Sequence, residues 1–193
     1  MEPVDLHERT ADTWRRIVEG VGPDQWSRGT PCGDWDVRAL VNHVVGEDRW
    51  TRPLVDGATV ADVGDRLDGD LLGADPVGAT RDAADEATRA VAERVPQDPV
   101  VHLSFGDFPI EEYVRQLAAD HLVHAWDLAV ATGQDPRLDA ELVAEVAAWF
   151  AEREDLYRQA GAVGPRAHTD ADDPQADLLA RFGRDPRWSG TDG

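Results

Sequence analysis

Apolar residues at helical spacing constrain the fold of this chain more than any other feature. In several long stretches an apolar side chain recurs every three or four residues, which is typical of helices that bury one face. Because these stretches keep helical spacing and contain few glycines or prolines, they predict an all-α protein. The predicted helices cover residues 5–18, 37–52, 77–95, 110–132 and 138–157.

Signals for helix ends flank two of these stretches. Asp36 precedes the second one and can accept hydrogen bonds from the free amides of a first helical turn. Pro109 precedes the fourth, and Gly133 follows it in the position where glycine commonly ends a helix. We therefore expect the helices at 37–52 and 110–132 to be the best defined.

The remaining segments read as connections. Residues 53–76 are rich in Gly and Asp and predict a long crossover with at most a short helix. Residues 100–108 favour a short extended segment, 161–174 a loop, and 177–182 a terminal helical turn. At this length we expect one domain over 1–193, with a bundle core of about 5–160 and a C-terminal extension at 161–193.

The charge and cysteine content exclude several classes of function. With 19 basic and 39 acidic residues, the formal net charge of −20 repels nucleic acid and anionic membrane surfaces. Cys32 is the only cysteine, so no intramolecular disulfide can form. No segment resembles an export signal or a membrane span, and we expect a cytoplasmic protein.

Histidines on two predicted helices are the candidates for chemistry. His43 lies inside the helix at 37–52 and shares a face with Glu47, one turn later. On the helix at 110–132, Asp120 and His124 are four residues apart, while His121 and His124 are three apart. Either pair could reach one ion from one helix face, and the spacing does not choose between them.

A single histidine on an apolar helix face is usually an ordinary hydrogen-bonded core residue. The combination is more informative, because helical bundles build metal sites from inward side chains on separate helices. Here one helix offers His43, and another offers His124 with an acid or a second histidine. The pattern therefore predicts a divalent metal held by His43 and His124, with Asp120 or His121 as the third ligand.

Three segments carry a family resemblance. Residues 30–45 (TPCGDWDVRALVNHVV) and 120–128 (DHLVHAWDL), together with the ending at 173–188, resemble actinobacterial DinB-like proteins related to mycothiol-dependent maleylpyruvate isomerase. The resemblance implies a DinB-like four-helix bundle of up-down-down-up topology with a long crossover and short additional helices. It also implies that His43, Asp120 and His124 bind the metal. Asp120 stands where the isomerase pattern has Glu, so its reach is shorter, and His121 is the local substitute.

The resemblance further implies what the site does. The metal would activate a low-molecular-weight thiol such as mycothiol for attack on an electrophilic substrate, as in an S-transferase or a thiol-dependent isomerase. Zinc is the first choice of metal, and nickel, iron or manganese would suit the same ligands. Glu47 is a candidate to accept the thiol proton, although most helix carboxylates are simply solvated.

Alternative functions remain open at this stage. The isomerase has a further C-terminal domain and this sequence ends at Gly193, so the isomerase activity itself is not expected to carry over. The chain could be a non-catalytic metal-binding bundle that acts in metal or stress handling, or a metal-dependent hydrolase. An exposed helix face would also allow two chains to form a homodimer.

Overall fold

The computed structural model describes residues 1–104, 106–169 and 172–190. Within these residues the protein is mostly helical, with one small antiparallel hairpin. Helices and strands follow in the order α1 (Pro3–Glu19), α2 (Val37–Val55), α3 (Val60–Val63), α4 (Pro76–Arg94), β1 (Val100–Leu103), β2 (Gly106–Pro109), α5 (Ile110–Thr132), α6 (Ala140–Ala151), α7 (Glu154–Gln159) and α8 (Pro174–Arg181).

The predicted ends of α2 and α5 are present. Asp36 accepts a hydrogen bond of 2.8 Å from the amide of Ala39 at the start of α2. Gly133 follows α5 with a φ of 72°, a left-handed conformation that a side chain would strain. Both signals act through local backbone chemistry, which is why the sequence alone could identify them.

Two helix predictions were wrong in their extent. The stretch 138–157 is not one helix: α6 ends at Ala151 and α7 begins at Glu154. At this break the guanidinium of Arg153 donates a hydrogen bond of 3.1 Å to the carbonyl of Trp149 and another of 2.7 Å to Glu112. The first bond replaces a backbone donor that the end of α6 lacks. Helix α2 also continues through Pro53 to Val55. Pro53 lacks a backbone N–H and so removes one helical hydrogen bond, but the burial of Leu54 and Val55 compensates for that loss.

The other connections follow the predicted outline. The crossover contains only the four-residue helix α3, and the extended segment at 100–108 forms the hairpin in which Val101 pairs with Phe108. This hairpin is an addition to the all-α prediction. Phe105 of that segment, and residues 170, 171 and 191–193 of the predicted extension, lie outside the described residues.

Four long helices form the frame that carries the site. Helix α1 packs against α5 and α4, and α2 packs against the same two helices, so each of the four has two neighbours. Buried side chains fill the space between them, including Trp14, Val41 and Leu128. The contact between α2 and α5 brings residues 43 and 124 into one region of the molecule.

The C-terminal part packs onto this frame. Leu178 of α8 belongs to the same buried cluster as Leu122 of α5 and Phe150 of α6. The ring of Phe182 stacks on Phe150 with centroids 4.0 Å apart. The residues after α6 are therefore positioned by apolar burial beside the outer face of α5.

No helix among the described residues is long and apolar enough to cross a membrane.

Candidate metal centre

The structure brings His43, Asp120 and His124 together between α2 and α5. The two imidazole rings are 5.1 Å apart between centroids and inclined at 78°. Their Nε2 atoms both face one carboxylate: His124 lies 3.2 Å from Asp120 Oδ1, and His43 lies 3.5 Å from Asp120 Oδ2. Two ring nitrogens and a carboxylate, all within 4.8 Å of one another, are a donor set suited to a divalent cation.

The electrostatics of the three residues are tightly linked. Burial alone would lower the pKa of His124, but the charge and hydrogen bond of Asp120, together with the hydrogen bonds to Asp127 and Cys32, outweigh burial and hold that pKa well above its usual value. Burial would likewise raise the pKa of Asp120, whereas His124 and His43 hold it well below its usual range. A proton on His124 and a cation would therefore compete for the same nitrogen lone pair.

A buried carboxylate orients the ring of His124. Asp127 lies one turn further along α5, is fully buried, and has Oδ2 2.9 Å from His124 Nδ1. When Nδ1 carries the proton of this hydrogen bond, Nε2 presents a lone pair toward Asp120. Metal-binding histidines usually have their second nitrogen bonded to a carboxylate or carbonyl in this way.

Arg184 and Cys32 complete the support behind His124. The guanidinium of Arg184 lies 3.0 Å from Asp127 Oδ2 and 3.3 Å from Cys32 Sγ. The Cys32 thiol donates to Asp127 Oδ2 at 2.9 Å and lies 3.7 Å from His124 Nδ1. Burial raises the pKa of Asp127, but the hydrogen bond from His124 and the charge of Arg184 lower it more, so this carboxylate stays ionised.

These residues fit a metal ion in one further respect. Oδ2 of Asp120 is buried and makes no normal hydrogen bond among the described residues. His43 Nε2, at 3.5 Å, is too distant for a good hydrogen bond to this oxygen. A buried carboxylate oxygen without a good hydrogen bond is costly, and a cation beside it would remove that cost. Although Asp120 has a shorter side chain than Glu, it lies in contact with both rings without the extra methylene.

Trp35 lies beside the two histidines of the site. Its ring is 4.8 Å from the His43 ring and 6.3 Å from the His124 ring, measured between centroids. Trp35 is itself 37% exposed, so part of this ring contact is at the protein surface. The loop before α2 therefore contributes an aromatic side chain beside both histidines.

A cavity of about 260 Å³ opens beside the three residues. Its polar end carries His43, Asp120, His124 and Glu47. Side chains from α6, α7 and the C-terminal segment also line the cavity, namely Trp149, Tyr157, Val163, Phe182 and Arg184. The segment predicted as an extension thus supplies part of the cavity that adjoins the candidate ligands.

Three polar groups in this cavity are available to a ligand. The Tyr157 hydroxyl and Gln116 Nε2 are buried and make no hydrogen bond among the described residues. Burial raises the pKa of Tyr157, so its hydroxyl stays protonated. The third group is Glu47, whose pKa is raised by burial and by the neighbouring Asp120, which makes it a better proton acceptor near neutral pH than an ordinary carboxylate.

His121 lies in a different group. Its Nε2 is 2.9 Å from Asp48 Oδ1, and its ring contacts His7 on α1. The three-residue spacing from His124 does not bring it to His43, because α5 turns that position toward α1.

Sequence reasoning missed the role of Arg184. This residue is 57 positions from Asp127, and no local pattern links the two. Asp127 forms a buried salt bridge with Arg184. Cys32 packs against the core but is only partly buried, and its thiol donates to Asp127.

Comparisons with known proteins identify the family of this chain. The family model described as the mycothiol maleylpyruvate isomerase N-terminal domain matches residues 7–129, which include all three candidate ligands. Two uncharacterized proteins of Mycobacterium tuberculosis, from strains CDC 1551 / Oshkosh and ATCC 25618 / H37Rv, are each 32% identical over 154 residues, covering 75% of this chain and 75% of their own. No solved structure matches the chain significantly. The chain therefore belongs to the mycothiol maleylpyruvate isomerase N-terminal domain family.

Proposed function

We propose that this protein binds a divalent metal ion through His43, Asp120 and His124 and uses it in a thiol-dependent reaction. Zinc is the first choice of metal, and mycothiol or a similar small thiol is the proposed co-substrate. The observation that carries the proposal is the convergence of two Nε2 atoms on one carboxylate, with His124 Nδ1 held by Asp127. The family match supports the thiol, since its description names mycothiol.

Three protein ligands leave coordination positions open for a substrate. A divalent ion bound there would supply thiolate at neutral pH, where a free thiol of pKa about 8.5 is only a few per cent ionised. The adjoining cavity of about 260 Å³ gives the reacting ends of a thiol and of an electrophile access to the ion. This combination supports an S-transferase or isomerase-like enzyme over a purely structural site.

The residues of the cavity have separate roles in this proposal. Glu47 accepts the proton of the incoming thiol. In an addition reaction the sulfur bonds to one carbon of an activated double bond, and Glu47 returns the proton to the other carbon. Tyr157 and Gln116 donate hydrogen bonds to the electrophilic substrate, and Trp149 and Phe182 exclude water from the reacting atoms.

The finer structural assignments belong to the same proposal. They are a DinB-like four-helix bundle with up-down-down-up topology, formed by α1, α2, α4 and α5, and a single domain that includes the C-terminal segment. The mutual packing of these four helices supports the bundle. A cytoplasmic location and pairing as a homodimer stay predictions.

The test begins with the metal. Protein is loaded with cobalt, and the absorption spectra of wild type, His43→Ala and His124→Ala are compared. His102→Ala is the matched control, since His102 pairs with Asp107 on the hairpin. We expect the cobalt signal of this site to disappear in the first two variants and to persist in the control.

The second step separates the thiol reaction from its alternatives. Mycothiol is titrated into the cobalt protein beside an analogue in which oxygen replaces sulfur. A new sulfur-to-cobalt absorption with mycothiol alone would support the proposal. No change at millimolar thiol would leave a non-catalytic metal-binding protein or a metal-dependent hydrolase as the better description.

A further inference from the structure

A second cluster of metal-binding residue types lies between α1, α2 and α5. It consists of His7, Asp48 and His121, one residue from each helix. His121 Nε2 is 2.9 Å from Asp48 Oδ1, and the rings of His7 and His121 are 5.2 Å apart at an angle of 64°. One donor atom from each residue lies within 4.8 Å of the other two.

This cluster is sealed inside the protein. His7 and Asp48 are 0% exposed and His121 is 1% exposed. Polar side chains of this kind are rarely so completely buried unless each polar atom has a partner. Apolar residues such as Leu6 on α1, Val44 on α2 and Leu122 on α5 are also fully buried on these three helices.

Most of its polar atoms have no partner among the described residues. Both ring nitrogens of His7 make no hydrogen bond, and neither do Asp48 Oδ2 and His121 Nδ1. An imidazole with two unpaired nitrogens beside a carboxylate oxygen with no donor is an incomplete arrangement. A cation would satisfy the nitrogen lone pairs and neutralise the carboxylate together.

We propose that His7, Asp48 and His121 hold a second divalent metal ion, of the zinc class, that ties α1, α2 and α5 together. The site takes a structural ion, because its full burial leaves no path for a substrate, and Asp48 would supply the fourth donor atom by binding through both carboxylate oxygens. On a tetrahedral zinc ion with bonds of about 2.0 Å, ligand atoms stand about 3.3 Å apart, so ring movements of about 1 Å would complete the coordination. This inference stands independently of the proposed function.

The sequence order explains how two sites can share two helices. On α2, Glu47 lines the cavity near the first site, and the next residue, Asp48, belongs to the second. On α5, Asp120 serves the first site and the next residue, His121, serves the second. Successive residues on a helix point about 100° apart, so each helix can present one ligand toward the cavity and the next toward α1.

The experiment counts metal ions in the full chain. Protein is stripped with a strong chelator, reloaded with zinc, passed through a desalting column and analysed by mass spectrometry of the metal. We expect two ions per wild-type chain and one ion in the double variant His43→Ala/His124→Ala. Adding His7→Phe to the double variant should remove the remaining ion, while adding His102→Ala should not.

Several results would overturn the second site. The first is that the double variant binds no zinc. The second is that the double variant still binds one ion after His7→Phe is added. If His7→Phe disrupts folding, as judged by circular dichroism, Asp48→Asn in the same background replaces it; this variant keeps the side-chain shape, and we expect its zinc affinity to fall at least about tenfold. Unchanged affinity in that variant also contradicts the proposal.

The two proposals fail in different ways. One ion in wild type that remains in the double variant and disappears with His7→Phe would support the second site and reject the first. One ion in wild type that disappears in the double variant would do the reverse.

Discussion

The Oδ2 atom of Asp127 lies 2.9 Å from Nδ1 of His124, and this contact fixes which nitrogen of His124 faces Asp120. Arg184 and Cys32 hold the same oxygen from the other side. The metal centre proposed here therefore extends beyond its three ligands to a buried network that joins the loop before α2, α5 and the C-terminal segment.

Replacing Asp127 with Asn should weaken metal binding without removing a ligand. The amide cannot hold the His124 proton at Nδ1 as strongly as a carboxylate, and such supporting residues are typically worth about 10- to 100-fold in metal affinity. The affinity is measured by competition with a chromophoric chelator. Asp135→Asn is the control, because Asp135 is exposed and pairs with Arg137. Equal zinc affinity in wild type and Asp127→Asn would contradict this role.

Substitutions at Asp120 test the middle ligand. Asp120→Ala removes the carboxylate that faces both imidazoles, and we expect zinc affinity at this site to fall by at least about tenfold. Asp120→Glu restores the residue of the isomerase pattern and should keep the metal bound. If the alanine variant binds zinc at the triad as tightly as wild type, Asp120 is not a ligand.

Replacing Glu47 with Gln should leave the metal in place and slow the chemistry. The amide preserves the shape of the side chain but cannot accept a proton, and loss of general-base catalysis typically costs about 10²- to 10⁴-fold in rate. The measurement is single-turnover alkylation of mycothiol by a small electrophile, with metal content determined on the same samples. Glu152→Gln, at a side chain that is 83% exposed, should react like wild type. A Glu47→Gln rate equal to that of wild type would remove Glu47 from the mechanism.

Core packing on α5 should matter more for stability than packing on α7. Leu122 is 0% exposed, so Leu122→Ala should lower the free energy of unfolding by about 2–5 kcal/mol. Leu156 is 55% exposed, and Leu156→Ala should change it by less than about 0.5 kcal/mol. Urea denaturation of metal-free protein measures both, and similar values for the two variants would contradict the packing described here.

The sequence predicted the parts of this structure that depend on local signals. The Asp36 cap, the Gly133 terminus and the apolar spacing of α5 all act within a few residues, and all are present. The choice between Asp120 and His121 was different, because both lie at helical spacing from His124. That choice depends on where α2 and α1 lie around α5, which is a tertiary relationship.

Long-range contacts account for what the sequence could not predict. The break between α6 and α7 depends on Arg153 meeting Glu112, which lies 41 residues earlier. The link between Arg184 and Asp127 spans 57 residues and depends on how the C-terminal segment packs. His7 shows no sign of a special role in the sequence until α1 packs beside Asp48 and His121.

A crystal structure of the zinc-loaded protein, with anomalous diffraction recorded on both sides of the zinc absorption edge, tests the central proposal most directly. We predict an anomalous peak about 2.0–2.2 Å from Nε2 of His43, Nε2 of His124 and a carboxylate oxygen of Asp120. If zinc-loaded crystals show no peak between these residues, with both imidazoles still facing Asp120 directly, the proposed metal centre is wrong.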